Sequence, residues 1–303
     1  MRRVPFWFWR DKVCGTGYLA SRVFADGEFL MAIIYLDGRY LPQERAKIPA
    51  TDPALAWGVG LFEVIRGYHG RGFQLGSHLR RLEGSARYFG IEARLPDLGS
   101  VVTRLFEKNA LDGGYVRVTL TGGGHLIVSV NHWSPLPKSW YTCGGRLAIA
   151  PFRKDPRAPL SGHKTLNYLE NMRVRWEAER HGVIDALVLG FRGEVLEGTR
   201  CNIFVARRGR LVTPSLKQGI LPGVTRQLVI ELAREASIPL RERSMRFTWL
   251  RGAEEVFITS TMMEIVPIVR VGDTVFPGPG PLTRILMRAY RERVARECFP
   301  HLP

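Results

Sequence analysis

The chain has 303 residues, of which 44 are lysine or arginine and 28 aspartate or glutamate, giving a formal charge of +16, and 45% are apolar. That length allows two modest domains with the composition of an ordinary globule, and no apolar run reaches the roughly eighteen to twenty residues of a bilayer-spanning helix, which argues against an integral membrane protein. The charge leaves room for a nucleic-acid binder, yet Arg207-Arg208-Gly209-Arg210 and the helical Arg288, Arg291, Arg293 and Arg296 read as solvated edges and faces, not as a recognition module.

At the start of the chain, Met1-Arg2-Arg3-Val4-Pro5-Phe6-Trp7-Phe8-Trp9 is aromatic, but Arg10, Asp11 and Lys12 interrupt it before it could form a signal-peptide core. Residues 1–30 are expected to be a non-native or disordered extension. Alternating and apolar runs predict strands at 33–36, 61–68, 115–121 and 126–130 around helices at 78–89 and 98–109, together a small α/β domain over 31–150. The Pro-, Arg- and Lys-rich stretch 151–159 reads as a connection, and a larger domain occupies 160–303. Within it, Leu169, Met172 and Trp176 are expected on one face of a helix. The runs 186–190 and 202–206 bracket a turn at Arg192-Gly193 and read as adjacent strands. A helix is expected from Val224, with Leu228, Leu232 and Ala236 inward, and Pro277-Gly278-Pro279-Gly280-Pro281 makes a rigid turn before the last helix. Cys14, Cys143, Cys201 and Cys298 show neither Cys-x-x-Cys nor zinc-ligand spacing, so a reducing cytoplasm is the simplest setting.

Three sites carry chemistry. Of only seven lysines, Lys164 is the one standing just before an amphipathic segment, whereas Lys12, Lys47, Lys108, Lys138, Lys154 and Lys217 sit in polar or exposed contexts. A partly desolvated amine sheds its proton and becomes a nucleophile. Glu197 ends a strand-like stretch at a rigid rim, where an acid can lie beside a ring nitrogen. In Leu221-Pro222-Gly223-Val224-Thr225-Arg226, Val224 and Thr225 fall at a helix N-terminus whose free N–H groups and dipole suit a phosphate, with Gly223 allowing close approach. The competing reading there is ordinary capping by Thr225. Amine, carboxylate and phosphate cradle are together what pyridoxal phosphate requires.

The same residues resemble the class IV aminotransferases, pyridoxal phosphate enzymes of branched-chain and D-amino-acid type, from about Met31 to the C-terminus. The resemblance implies a two-domain, fold-type IV α/β enzyme in which Lys164 is the Schiff-base and proton-transfer lysine, Glu197 the partner of the pyridine nitrogen, and Val224 and Thr225 phosphate-binding amides. His78-Leu79-Arg80-Arg81-Leu82 matches the family's His-x-x-Arg-Leu and implies Arg81 as phosphate ligand. Ser260-Thr261-Met262-Met263-Glu264-Ile265-Val266-Pro267 points to Thr261 and Met262 near phosphate and substrate carboxylate. Tyr168 is implied to bond the cofactor's phenolic oxygen, and Phe62, in Phe62-Glu63-Val64-Ile65-Arg66, to wall the substrate pocket.

Substrate signals divide. Tyr115-Val116-Arg117 resembles the branched-chain pattern, whose arginine meets a second carboxylate, and favours an L-amino-acid transaminase. The spacing Lys164 to Asn167 looks more like D-amino-acid aminotransferase or aminodeoxychorismate lyase, although the D-specific Arg-Gly is missing from Thr119-Leu120-Thr121-Gly122-Gly123-Gly124-His125. The implied activity is amino transfer from an amino acid, L-configured and hydrophobic or branched-chain, to a 2-oxo acid. The alternatives are the lyase and the D-amino-acid enzyme, with nucleic-acid binding remote. The family further implies a homodimer with residues of both chains at each site, and a start at Met31.

Overall fold

The computed structural model describes residues 32–299, so the expectations for residues 1–30 and for Met31 as the start lie outside the described residues. Two sheets organise the rest. The first runs, edge to edge, through Arg39–Pro42, Ile33–Leu36, Leu126–Asn131, Gly114–Thr121, Gly60–Tyr68 and Arg71–Gly72, all antiparallel neighbours. Strand Gly114–Thr121 shows why it folds so: buried Val116, Val118 and Leu120 alternate with half-buried Tyr115, Arg117 and Thr119, the period-two pattern of a sheet with two unlike faces. The apolar face packs on the helices Leu75–Phe89 and Leu98–Lys108 through Leu82, Ala86, Val102, Leu105 and Phe106. Asp97 starts the second of these helices by accepting from the amides of Gly99 and Ser100.

The second sheet is mixed and nine-stranded: Leu240–Glu242, Arg210–Thr213, Asn202–Arg207, Glu255–Ser260, Glu264–Val271, Gly145–Lys154, Asp185–Gly190 and Val195–Gly198 in order, with Thr274–Val275 beside Glu264–Val271. One face carries Ile203, Val205, Ile258, Val266 and Leu187; the other packs Phe204, Phe257 and Ile265 on the helices Val224–Glu235 and Pro281–Cys298. Gly145–Lys154 lies parallel to both its neighbours, so the stretch from it through helix Leu169–Arg180 to Asp185–Gly190 is a β-α-β crossover. Lys164 sits in that crossover. Its segment also clips onto the first sheet: the amide of Phe62 donates to the Lys164 carbonyl at 3.0 Å and that of Leu166 to the Gly60 carbonyl at 2.9 Å, a bridge at Leu61 and Thr165.

The small-domain elements form where alternation predicts them. Three expectations are corrected. Gly145–Lys154, split in sequence between the end of the small domain and the connection, is a strand of the second sheet, and the crossing between sheets falls between Asn131 and Gly145. Its alternation is masked because Pro151 lies where the pairing shifts register, between Ile149 and Arg153. The runs 186–190 and 202–206 are not neighbours: a four-residue strand, Val195–Gly198, returns beside Asp185–Gly190, while Asn202–Arg207 pairs with Arg210–Thr213 and Glu255–Ser260. In helix Leu169–Arg180 the buried face is Val174 and Ala178, seated over Ala150, Ala186 and Val188, while Leu169 is 73% exposed at the first helical position.

Candidate active site

The site lies where the polar face of the first sheet meets the crossover and the helix N-terminus of the second. Lys164 is half-buried, its amine 4.2 Å from the centre of the Phe62 ring and 5.1 Å from that of Tyr168. Burial pushes the amine down to about 8, and Arg81 and Arg117 act the same way against the opposing charges of Glu63 and Glu197. Tyr168 meets Phe62 edge-on at 5.2 Å and donates its hydroxyl to the Thr199 carbonyl at 2.8 Å; burial pushes the phenol up to about 12. The Thr199 loop is itself fixed, because buried Asp185 accepts from the Thr199 hydroxyl and amide and from the Arg200 amide.

Glu197 is buried on strand Val195–Gly198, opposite Val188. Oε1 accepts from the Lys154 amine at 2.7 Å, while Oε2 accepts from the Leu221 amide at 2.9 Å and from the Asn202 side chain at 3.4 Å. Leu221 leads through Pro222 to Gly223, the N-cap of helix Val224–Glu235, where no side chain caps the helix. The N-cap position is taken by Gly223, and buried Thr225 lies inside the first turn, so the capping reading fails. A Cβ at Gly223 would run into Asn202.

Arg81 comes to the same loop from the first sheet's helix. Its Nη1 donates to the Pro222 carbonyl at 2.9 Å, while Nε and Nη2 grip the two oxygens of Glu63 at 2.7 and 2.6 Å. Burial by itself would raise the Glu63 carboxyl, but the Arg81 charge and the hydrogen bonds from His78 and Arg81 outweigh it and leave it at about 2. His78 is held below its usual range by burial, hence neutral; with Nδ1 2.8 Å from ionised Glu63, that nitrogen carries the proton and Nε2, 3.4 Å from the Thr261 hydroxyl, accepts. Thr261 and half-buried Met262 form the turn between Glu255–Ser260 and Glu264–Val271. Glu264 closes it in the left-handed region, φ 58°, and accepts from Tyr68 at 3.0 Å.

Tyr115 and Arg117 share the Phe62 face, as the register Phe62 to Thr119 and Val64 to Arg117 requires. The Arg117 guanidinium stands 4.3 Å over the Phe62 ring, held below its usual range by burial, with no acidic partner among the described residues. Lys154–Glu197–Leu221 and Pro222–Arg81–Glu63–His78–Thr261 thus form one polar chain beside Lys164. Residues that sequence reasoning did not place here are Glu63, His78, Asn202 and Lys154. Glu63 had one signal, an acid inside the apolar run Gly60-Leu61-Phe62-Glu63-Val64-Ile65. Lys154, whose sequence context is polar or exposed, ends a strand with its side chain 27% exposed.

Residues 60–271 match the family model described as amino-transferase class IV. A relative from Methanocaldococcus jannaschii that carries the name of a branched-chain-amino-acid aminotransferase is 34% identical over 274 residues, covering 86% of this chain and 95% of its own. D-alanine aminotransferase of Staphylococcus aureus is 26% identical over 288 residues, 87% of this chain and 98% of its own. The crystal structure of Escherichia coli branched-chain amino acid aminotransferase superposes with a TM-score of 0.80 at 28% identity, covering 86% of this chain and 94% of that one. The chain belongs to the class IV aminotransferases, a family of pyridoxal-phosphate-dependent transaminases.

Proposed function

We propose that the protein transfers the amino group of an L-amino acid with a hydrophobic or branched side chain to a 2-oxo acid, using pyridoxal 5′-phosphate held by Lys164, Arg81, Tyr168, Glu197, Val224, Thr225 and Thr261. The observation that carries this is the Lys164 amine, depressed to about 8 and lying against the Phe62 and Tyr168 rings beside a chain of charged and polar groups. The residues fit the cofactor by their chemistry. A buried amine suits its aldehyde and a buried carboxylate its ring nitrogen. An uncapped helix N-terminus, reached through a residue with no room for a Cβ, suits its phosphate. Arg81 supports the same end, since Nη1 spends one of two N–H groups on Pro222 and keeps the other for a ligand.

When bound, the cofactor supplies an electron sink for charge developing at the substrate α-carbon. The chain's own part is positional and protolytic. Lys164 takes the α-proton as a free amine and returns it, Glu197 holds a negative charge at the ring nitrogen, and Arg81 with the helix amides fixes the phosphate so that Lys164 acts at one distance. Phe62 walls the substrate side, Tyr115, Thr261 and Met262 meet the α-carboxylate, and Arg117, a half-buried cation without an acid, takes the second carboxylate of a dicarboxylic 2-oxo acid.

A homodimer is supported by exposed Leu55, Trp57 (76%) and Leu169, on segments joined by the Asn167 side chain and the Gly58 carbonyl at 2.9 Å. A cytoplasmic setting is supported by Cys143, Cys201 and Cys298 remaining free thiols; among the described residues no helix is long and apolar enough to cross a membrane. The relatives do not favour the lyase, the D-amino-acid enzyme or nucleic-acid binding over this reading. The test is to mix cofactor-loaded protein with single L- and D-amino acids and follow its absorbance. Conversion to the pyridoxamine form by L-leucine, L-valine or L-isoleucine is expected. Conversion by D-amino acids alone, or pyruvate release from aminodeoxychorismate without conversion, would overturn the reading.

A further inference from the structure

We propose that Lys154 is a positioning residue for Glu197, its ammonium fixing that carboxylate as a counter-charge at the cofactor ring; the inference rests on the reading that Glu197 faces the ring nitrogen. Lys154 ends strand Gly145–Lys154, Glu197 lies on Val195–Gly198, and the two side chains meet at 2.7 Å across the strand Asp185–Gly190 between them. An ordinary surface pair contributes little. This one is different, because the Glu197 side chain is 10% exposed and the Lys154 side chain 27%. A buried carboxylate stripped of its cation is the costly species.

Without Lys154, Glu197 would be left with two neutral donors, both on Oε2: the Leu221 amide and the Asn202 side chain. Oε1 would have no donor among the described residues, and the carboxylate would be freer to turn. Asn202 also donates to the Leu221 carbonyl at 3.0 Å, so the same carboxylate ties down the segment that runs through Pro222 into the helix N-terminus. The ammonium on Oε1 therefore braces the same carboxylate whose Oε2 holds the segment leading to the helix N-terminus.

The test compares cofactor-loaded wild type with Lys154→Met, Lys154→Arg, Glu197→Gln and the double variant Lys154→Met/Glu197→Gln. Lys154→Gln is the second neutral variant should methionine cost the fold, judged by near-UV circular dichroism. A charge-assisted bond of this kind predicts that Lys154→Met loses about 10- to 100-fold in kcat, with KM for the amino acid moving less than about threefold. Independently of turnover, the dissociation constant for pyridoxal phosphate should rise about tenfold. Lys154→Arg should recover both to within about threefold of wild type. In the Glu197→Gln background, adding Lys154→Met should change neither quantity more than about twofold, because the partner is already gone.

Wild-type values in both neutral variants alongside an impaired Glu197→Gln would overturn the inference alone, as would an undiminished Lys154→Met effect in the Glu197→Gln background. A Glu197→Gln protein equal to wild type would instead sink the reading of Glu197 and take this inference with it.

Discussion

Glu63 holds an ionised carboxylate in a place that admits almost no water, and it does so because Arg81 and His78 both turn their N–H groups on it. Glu63→Gln would leave the Arg81 charge unpaired in that pocket and should cost about 3–5 kcal/mol in urea unfolding, the size expected for breaking a buried pair from one side. Its pH dependence has a definite sign. A carboxyl lowered from 4.5 to about 2 gives stability that is complete above 4.5 and is lost as pH falls toward 2. Acid titrations of wild type should show that loss, and the Gln variant should not.

Lys164 makes the opposite kind of prediction. With its amine at about 8, the rate at which apoprotein takes up pyridoxal phosphate should climb as pH rises through 8 and then level, because only the neutral amine attacks an aldehyde. A rate flat from pH 6 to 9 would contradict the assignment. At this scale Lys164 was legible because lysine is scarce and the segment after it distinctive. Lys154 was not, since nothing in a local window says that Glu197 will be brought to it from two strands away.

Among the elements, the one that matters most is helix Val224–Glu235 with its bare N-terminus. Gly223 has φ −63°, open to any residue, so glycine is needed there for space and not for conformation. Gly223→Ala would press a methyl on Asn202, displacing the group that helps hold Glu197 and Leu221. Overpacking of about 1–3 kcal/mol should appear as at least about a tenfold weaker cofactor dissociation constant by fluorescence titration, with the far-UV spectrum kept. The helix and its start were legible from Gly223 and the apolar period after it. Strand Gly145–Lys154 was not, because a bulge at Pro151 breaks the alternation, and neither was Val195–Gly198, whose four residues are too few to show a period.

On the scale of the whole molecule, two sheets with separate cores are joined at the site, by the Lys164 segment pairing with Gly60–Phe62 and by Arg81 reaching Pro222. A ligand held by residues of both should stabilise the fold as a unit. At about 100 times its dissociation constant, pyridoxal phosphate should add about 2.7 kcal/mol, seen as a higher Tm by calorimetry, with the gain much reduced in Lys164→Ala. The two-layer division was legible from alternating strands and amphipathic helices. The polar chain from Lys154 to the turn at Thr261 was not, because its members come from both sheets and meet only once the crossover closes. The charge of +16 carried no information about either.

The central claim is a covalent one, and reductive trapping tests it most directly. Cofactor-loaded protein is treated with borohydride, digested and mapped by mass spectrometry, with Lys164→Ala in parallel. The account predicts a pyridoxyl group on the peptide containing Lys164 in the wild type and none in the variant. A pyridoxyl group on Lys154 or any other lysine, or on no peptide at all, would contradict it.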